Sequence, residues 1–199
     1  MVAIDRSLTL PETQYFPQVH HKDLIVLHGT AGSSAKGAVE HWNTSADRVA
    51  TAFIIARDGT VHEVFPRNCW AWHVGFNGVE LERRSVGVEL VNIGPLRRHG
   101  NEMRNAYGSV FCHADEQDRY VQRSWRGYDC YATYTAEQYM AVRSLLDELC
   151  AEFGISRDIR ASGELVDHPR EAKGIATHTN FRRDKWDIGP AFEWERIVA

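Results

Sequence analysis

Two histidines and one aspartate occupy positions in the sequence that suit a metal site. His28 ends the apolar run LIVL and is followed by the loop sequence GTAG, whereas His178 and Asp187 flank the stretch TNFRRDKW. That stretch is too long for one helix face, but a loop can bring both side chains to one ion. Two imidazoles and one carboxylate leave the fourth zinc position open, which is typical of a catalytic rather than a structural site. Spacing alone is weak evidence, because ten histidines in 199 residues form many such trios.

Two further charged residues are candidates for proton or charge chemistry. Glu89 lies within the apolar run SVGVELV, so its carboxylate faces either solvent or a buried polar site. Burial without a partner is costly and raises the pKa of a carboxyl group. Lys185, just before Asp187, lies near any ion that this aspartate binds. The alternatives are a solvent-facing strand residue for Glu89 and an ordinary surface lysine for Lys185.

Local patterns predict the elements that position these residues. The run Leu24–Leu27 predicts a buried strand that ends at a loop. Ser34 is a suitable N-cap for a short helix to about Trp42. The stretch RVATAFIIARDGTVHEVF contains two β-rich runs around an Asp-Gly pair, which is a strong hairpin signal. His28 is therefore expected at the exit of a buried strand, where binding sites are commonly built.

The middle of the chain divides into strands and a long insertion. Residues 69–75, CWAWHVG, and residues 85–91, SVGVELV, predict two further strands. Residues 92–133 lack clear periodicity and are rich in charged and aromatic residues. We predict a long insertion or a set of loops, which in a compact domain is usually functional or mobile. Its aromatic side chains are suited either to gripping glycan or peptide or to capping the core.

The C-terminal part begins with a strong helix signal. The sequence TAEQ at residues 135–138 is a capping box, apolar residues follow at spacings of three and four, and Gly154 is placed to end the helix. The chain is then loop-rich until a short terminal helix near residues 191–197. Strands followed by a long helix favour an α/β fold, a single domain with a mixed central β-sheet flanked by helices.

The composition is that of an ordinary globular domain. The chain has 43% hydrophobic and 25% charged residues, and its length allows a proper core without disulfides. The net charge of -4 provides no basic field to attract nucleic acid. Four cysteines without a CxxC pair favour free thiols, and Cys112 and Cys130 are left as a pair that an oxidising environment could join.

The sequence lacks the segments that direct a chain into or across a membrane. The N-terminal stretch has no apolar core of a signal peptide, and no run approaches the ~20 apolar residues of a membrane span. We therefore expect synthesis in the cytoplasm without a signal peptide, no membrane or nucleic-acid partner, and a monomer.

Five motifs, taken in order, resemble the zinc-dependent N-acetylmuramoyl-L-alanine amidases of the type-2 amidase family, which includes the peptidoglycan recognition proteins. The motifs are LIVLHGTAG, TAFIIARDGTVHEVFP, WAWHVG, SVGVELVN and HTNFRRDKWDIGPAF. They span about residues 24–192. Each motif alone is weak, but five in the family order are specific. The resemblance implies one zinc amidase domain over residues 1–199, with a lead segment at 1–23 and the insertion at 92–133.

The resemblance also implies roles for individual residues. It assigns one Zn²⁺ per chain to His28, His178 and Asp187. It assigns the general acid/base to Glu89 and the polarisation of the substrate carbonyl to Lys185. Trp72 and His73 match the strand that lines the substrate cleft, although a packing role for Trp70 or Trp72 is equally compatible with the sequence.

The sequence departs from the family at three points. Several relatives have a catalytic tyrosine where Thr51 stands, so proton transfer would depend on Glu89. The closing loop reads DIGP where DPGP is commoner, which reduces local rigidity but should leave ligation intact. His168 is a rival for the second histidine ligand, at a longer distance from Asp187 than the family loop has.

The implied substrate is peptidoglycan or a muropeptide. Peptidoglycan recognition proteins that lack catalysis supply the alternative, a binding or sensing protein of the same fold. The sequence leaves open whether the chain is a phage endolysin that reaches the cell wall after release, a recycling amidase or a toxin.

Overall fold

A six-stranded mixed sheet forms the centre of the molecule in the computed structural model, which describes residues 2–76, 78–160 and 163–198. Its strand order is β1-β4-β3-β5-β2-β11, and only the β3–β4 pair is antiparallel. The strands are β1 Ile4–Asp5, β2 Leu24–Gly29, β3 Phe53–Ile55, β4 Val61–Glu63, β5 Ser85–Leu90 and β11 Gly174–Thr177. The α/β class with a mixed central sheet is thus confirmed.

The predicted strand, helix and hairpin of the first third are all present. Strand β2 lies between β5 and β11, and Leu24–Leu27 are fully buried because both faces of the sheet are covered. Helix α1, Ala35–Asn43, begins at Ser34, whose Oγ accepts the N–H of Gly37 at 3.1 Å. Strands β3 and β4 form the hairpin, and Gly59 has the positive φ of 85° that its turn requires.

The predicted strand at residues 69–75 is wrong. This segment is extended but forms only isolated bridges, between Trp70 and Phe16 and between Trp72 and Val49. The N–H groups of His73, Val74 and Gly75 donate to a side-chain carboxylate, as described below. The predicted strand at 85–91 is confirmed as β5, which begins directly after helix α2, Glu80–Arg84.

Of the two alternatives for residues 92–133, the set of loops is wrong. These residues contain an antiparallel five-stranded sheet, here called the accessory sheet, with strand order β8-β7-β6-β10-β9. One face buries a small apolar cluster that includes Leu96, Met103 and Cys130. Arginines are prominent elsewhere on the sheet, and Arg97 lies over the ring of Tyr128 at 4.5 Å. The strands are β6 Pro95–His99, β7 Glu102–Asn105, β8 Val110–His113, β9 Tyr120–Trp125 and β10 Tyr128–Ala132.

Helix α3, Ala136–Phe153, packs against the main sheet. Thr135 forms the complete capping box with Gln138, and Gly154 ends the helix with a φ of 69°, both as predicted. The terminal helix, α4, is shorter and later than predicted, at Glu195–Val198. Strand β11 was not predicted, because GIAT is too short to show a period.

All four cysteines are buried free thiols. Within the described ranges, no helix combines the length and apolar character that crossing a bilayer requires.

Candidate active site

The structure brings His28, His178 and Asp187 together at one end of the main sheet. Strands β2 and β11 are parallel neighbours that pair Leu27 with Thr177, so the two histidines leave the sheet side by side. Their Nδ1 atoms are 3.2 Å apart. Asp187 Oδ2, from the closing loop, lies 3.1 Å from Nδ1 of His178 and 3.3 Å from Nδ1 of His28. Three potential ligand atoms therefore form a nearly equilateral triangle.

The outer nitrogen of His178 fixes the tautomer of this ring. Nε2 lies 2.9 Å from the carbonyl oxygen of Val74, which can only accept a hydrogen bond. Nε2 therefore carries the proton, and in the neutral ring the lone pair of Nδ1 points into the triangle. A carbonyl partner behind a metal-binding imidazole is the usual arrangement in metalloproteins.

A chain of hydrogen bonds fixes the tautomer of His28 in the same way. The Oγ of Ser85 donates to the carbonyl of Leu81 at 2.6 Å, so it accepts from Nε2 of His73 at 2.8 Å. Nδ1 of His73 is then free to accept from Nε2 of His28 at 3.0 Å. The lone pair of His28 Nδ1 is thereby also directed into the triangle.

The pKa values of His28 and Asp187 are shifted in the directions that suit metal ligands. Burial lowers the pKa of His28 to about 4, despite the opposing effect of Asp187. Burial alone would raise the pKa of Asp187, but the neighbouring imidazoles of His178 and His28 hold it well below its usual value. In the tautomers described above, two imidazole lone pairs and an ionised carboxylate therefore converge on one point, an arrangement that a cation would satisfy.

The dimensions of the triangle fit zinc. Zinc binds nitrogen and oxygen ligands at about 2.0–2.1 Å in tetrahedral geometry, which places ligand atoms roughly 3.3 Å apart. The three edges of 3.1, 3.2 and 3.3 Å agree with that spacing. His28, His178 and Asp187 also form a group recognisable as a possible metal site by geometry alone.

Glu82 holds the segment behind the histidines in place. Its side chain is fully buried and accepts the backbone N–H groups of His73, Val74 and Gly75 at 2.8–3.0 Å. Burial raises the pKa of Glu82, and the three N–H donors counteract part of this rise. The carboxyl of Glu82 thus replaces the strand pairing that was predicted here. Neither Glu82 nor Ser85 was identified from the sequence, because both lie in the polar, charge-rich run ELERRS.

Glu89 and Lys185 face the same cavity as the metal-site triangle. Glu89 pairs with His28 across the parallel strands β5 and β2, which puts the two side chains on the same side of the sheet. The cavity has a volume of about 360 Å³ and is lined by both residues together with His28, His178 and Asp187. Burial raises the pKa of Glu89 well above its usual value, Asp187 adds to this rise and Lys185 opposes it.

The remaining predicted site residues occupy different positions. His73 lines the cavity, but its side chain is only 5% exposed, and both ring nitrogens are hydrogen-bonded, one to His28 and the other to Ser85. Trp72 packs edge-on against Trp70, with ring centroids 5.7 Å apart, and is not among the described residues that line the cavity. Thr51 lines the cavity, and its hydroxyl donates to the carbonyl of Phe53 at 2.9 Å.

A comparison with protein-family profiles assigns the family. The profile of the family described as N-acetylmuramoyl-L-alanine amidase (Amidase_2) matches residues 18–190, which include every residue of the site. The chain belongs to this amidase family. A search of curated protein sequences gives no match.

Solved structures with the fold of this amidase-family chain include three amidases. AmiD from E. coli, in complex with anhydro-N-acetylmuramic acid-L-Ala-D-gamma-Glu-L-Lys, matches with a TM-score of 0.59 at 17% identity, over 92% of this chain and 58% of that one. AmpD matches with a TM-score of 0.55 at 18% identity, over 98% of this chain and 97% of that one. LysC from Clostridium intestinale matches with a TM-score of 0.54 at 14% identity, over 99% of this chain and 95% of that one. At these identities the likeness concerns the fold.

Proposed function

We propose that this amidase-family chain hydrolyses the amide bond between the lactyl group of N-acetylmuramic acid and the L-alanine of the stem peptide, with one zinc ion per chain. The observation that carries the proposal is the convergence of the ligand atoms of His28, His178 and Asp187 in a cavity that also contains Glu89 and Lys185. A non-catalytic binding protein has no use for a carboxyl group and an ammonium group beside an open metal position.

The metal site and its neighbours have separable roles. His28, His178 and Asp187 would hold the zinc ion, which supplies a Lewis acid for the amide carbonyl and lowers the pKa of water. Glu89 accepts a proton from the attacking water and returns it to the amine nitrogen that leaves. Lys185 places a positive charge beside the oxygen on which negative charge develops. Thr51 cannot replace a catalytic tyrosine, because its hydroxyl is not acidic and already donates to Phe53.

Identification of the products tests this proposal. We would incubate the zinc-loaded protein with intact sacculi and, separately, with soluble anhydro-muropeptides, and analyse the products by mass spectrometry. The expected products are a saccharide with a free lactyl carboxylate and a peptide with a new N-terminal L-alanine.

Other outcomes would redirect the assignment. New reducing ends would indicate glycoside hydrolysis, which uses two carboxylates rather than a metal trio. Binding of sacculi without any cleavage would favour the binding or sensing alternative. Cleavage of sacculi would place the chain with lytic enzymes of the endolysin type, whereas cleavage of soluble anhydro-muropeptides alone would indicate recycling.

A further inference from the structure

The accessory sheet brings an exposed tyrosine to the active-site cavity. Tyr107 lies in the turn between β7 and β8, is 76% exposed and lines the cavity of the metal-site triangle. The side-chain oxygen of Asn105 accepts the N–H groups of Tyr107 and Ser109 at 3.0 and 2.9 Å, which orders this turn. An exposed aromatic ring on an ordered turn is unfavourable in water and suits ligand contact.

A second cavity continues from the first on the side of Glu89. It has a volume of about 460 Å³ and lies between the loop after β2, helix α1 and the Tyr107 turn. Trp42 and Tyr107 line both cavities, as do Ala31 and Glu89. The two cavities therefore form one trough, and the aromatic pair Trp42 and Tyr107 stands where they join.

The two ends of the trough differ in charge. Among the described residues that line the second cavity there is no lysine or arginine, and its polar groups include the hydroxyls of Ser33 and Ser34 and the ring of His41. The first cavity, in contrast, contains the ammonium group of Lys185. Of its three carboxylates, Glu89 is shared with the second cavity, Asp187 is a proposed zinc ligand, and Asp184 is paired with Arg182 at 2.6 Å. A neutral ligand rich in hydroxyls therefore fits the second cavity, and a carboxylate-bearing ligand fits the first.

We propose that the second cavity, with Trp42 and Tyr107, binds the saccharide part of the substrate through stacking of an N-acetylhexosamine ring. This inference rests on the proposed function, in which the scissile amide joins a sugar-borne lactyl group to a peptide. The saccharide side carries no carboxylate once the lactyl group is in amide linkage, whereas γ-linked glutamate in the stem peptide retains a free α-carboxylate. The stem peptide then lies toward Lys185, and Tyr107 makes the accessory sheet a determinant of saccharide recognition.

A binding experiment tests this subsite independently of turnover. The zinc-loaded protein would be titrated with N,N′-diacetylchitobiose and with the tripeptide L-Ala-γ-D-Glu-L-Lys, and binding followed by NMR chemical shifts. We expect Tyr107→Ala to weaken chitobiose binding about five- to tenfold and to leave tripeptide binding unchanged. Tyr107→Phe, which keeps the ring, should restore binding. Val110→Ala is the matched control, because Val110 is exposed on the same hairpin and lies outside both cavities.

The alternative results are distinct. If wild-type protein does not bind chitobiose, or if Tyr107→Ala binds it normally, the saccharide subsite is wrong. If Tyr107→Ala loses the tripeptide instead, the second cavity holds the stem peptide and the assignment is reversed. Failure of the proposed function has a different signature, since the protein would then bind saccharide in a Tyr107-dependent way but release no peptide from muropeptides.

Discussion

At the scale of single residues, Glu89 gives the sharpest test of the proposed chemistry. Glu89→Gln preserves the shape of the side chain and a hydrogen-bonding group but removes the ability to accept a proton. We expect this variant to fold, to bind zinc and to hydrolyse muropeptide at least ~10²-fold more slowly. Turnover and zinc content would be measured together. Glu193→Gln, a half-exposed carboxylate paired with Arg196 outside the cavity, is the control. Near-normal turnover of Glu89→Gln would remove Glu89 from the mechanism.

The two candidate histidines of the C-terminal loops can be separated by metal content. His178 is buried within the metal-site triangle, whereas His168 is exposed and precedes a short 3-10 turn, Pro169–Glu171. His178→Ala should reduce bound zinc to a small fraction of one ion per chain, while His168→Ala should retain it. Elemental analysis of the purified variants measures the zinc content per chain and so distinguishes the two histidines. Equal losses from both variants would contradict the assignment.

Ser85 acts on the metal site through His73 and His28. Ser85→Ala removes the acceptor for Nε2 of His73, so the tautomers of both rings are no longer fixed. We expect zinc affinity to fall 10–100-fold, as is usual for the loss of such partners. Competition with a chelator would measure the change, and Ser144→Ala on the exposed side of α3 serves as control. An unchanged affinity would show that the hydrogen-bond chain has no effect on the metal.

Candidate site residues with an unusual sequence context could be predicted from the sequence. The residues that hold them in place could not. The structure places the five predicted catalytic and metal-binding residues around one cavity. Histidine at a strand exit and glutamate in an apolar strand are unusual enough to notice. Glu82 and Ser85 are both buried, but they occur in a polar run whose charged residues suggest solvent exposure. Only the fold reveals that Glu82 satisfies three backbone N–H groups.

At the scale of elements, the accessory sheet supports the closing loop. The guanidinium of Arg126, in the turn between β9 and β10, donates to the carbonyl groups of Arg182, Arg183 and Lys185. These three carbonyls belong to the closing loop, on the N-terminal side of Asp187. The accessory sheet thereby restrains the loop that carries one proposed metal ligand, Asp187, and the proposed oxyanion partner, Lys185.

Removing this support should loosen the loop. Arg126→Ala removes hydrogen bonds from a charged donor, and we expect amide exchange in residues 182–187 to become about tenfold faster. Hydrogen exchange followed by mass spectrometry measures this change. Arg123→Ala, an exposed arginine on the adjacent strand β9, should leave exchange in the loop unchanged. Equal effects of the two variants would mean that Arg126 does not restrain the loop.

The accessory sheet was not predictable for a physical reason. Its strands have one small apolar face, around Leu96 and Met103, and a solvent face with arginines, and they are four to six residues long. Such strands are stabilised mainly by pairing with their neighbours, which a single-sequence pattern does not display. The main sheet was largely predictable, because Leu24–Leu27 and the run VGVEL are apolar enough to require burial.

At the scale of the whole molecule, Lys22 connects three parts of the chain. Its side chain is fully buried, and Nζ donates to the carbonyls of Cys69, Arg83 and Ser85 at 2.7–3.0 Å. The lead segment is thereby joined to the extended segment at 69–75 and to the start of β5. Burial lowers the pKa of Lys22 to about 8, from 10.5, because the ammonium group has lost its hydration.

This pKa shift predicts a specific dependence of stability on pH. Between about pH 8 and pH 10.5 the unfolded chain holds the proton of Lys22 and the folded chain does not, so the free energy of unfolding rises with pH. Relative to Lys22→Met, the wild-type protein should gain roughly 2–3 kcal/mol across this window. Denaturant titrations of both proteins at several pH values measure the difference, in which the contributions of titrating groups that do not interact with Lys22 cancel. A constant difference would show that Lys22 titrates normally.

The attachment of the accessory sheet has a consequence for protein engineering. The N–H of Ala132 donates to the carbonyl of Gly94 at 3.0 Å, and the side-chain amide of Asn92 donates to the carbonyls of Ala132 and Thr133 at 3.2 Å. Entry and exit of the sheet thus share one narrow stem, where a foreign hairpin could be spliced in place of the accessory sheet. Any graft must keep glycine at position 94, because a Cβ there would clash with the ring of Trp186.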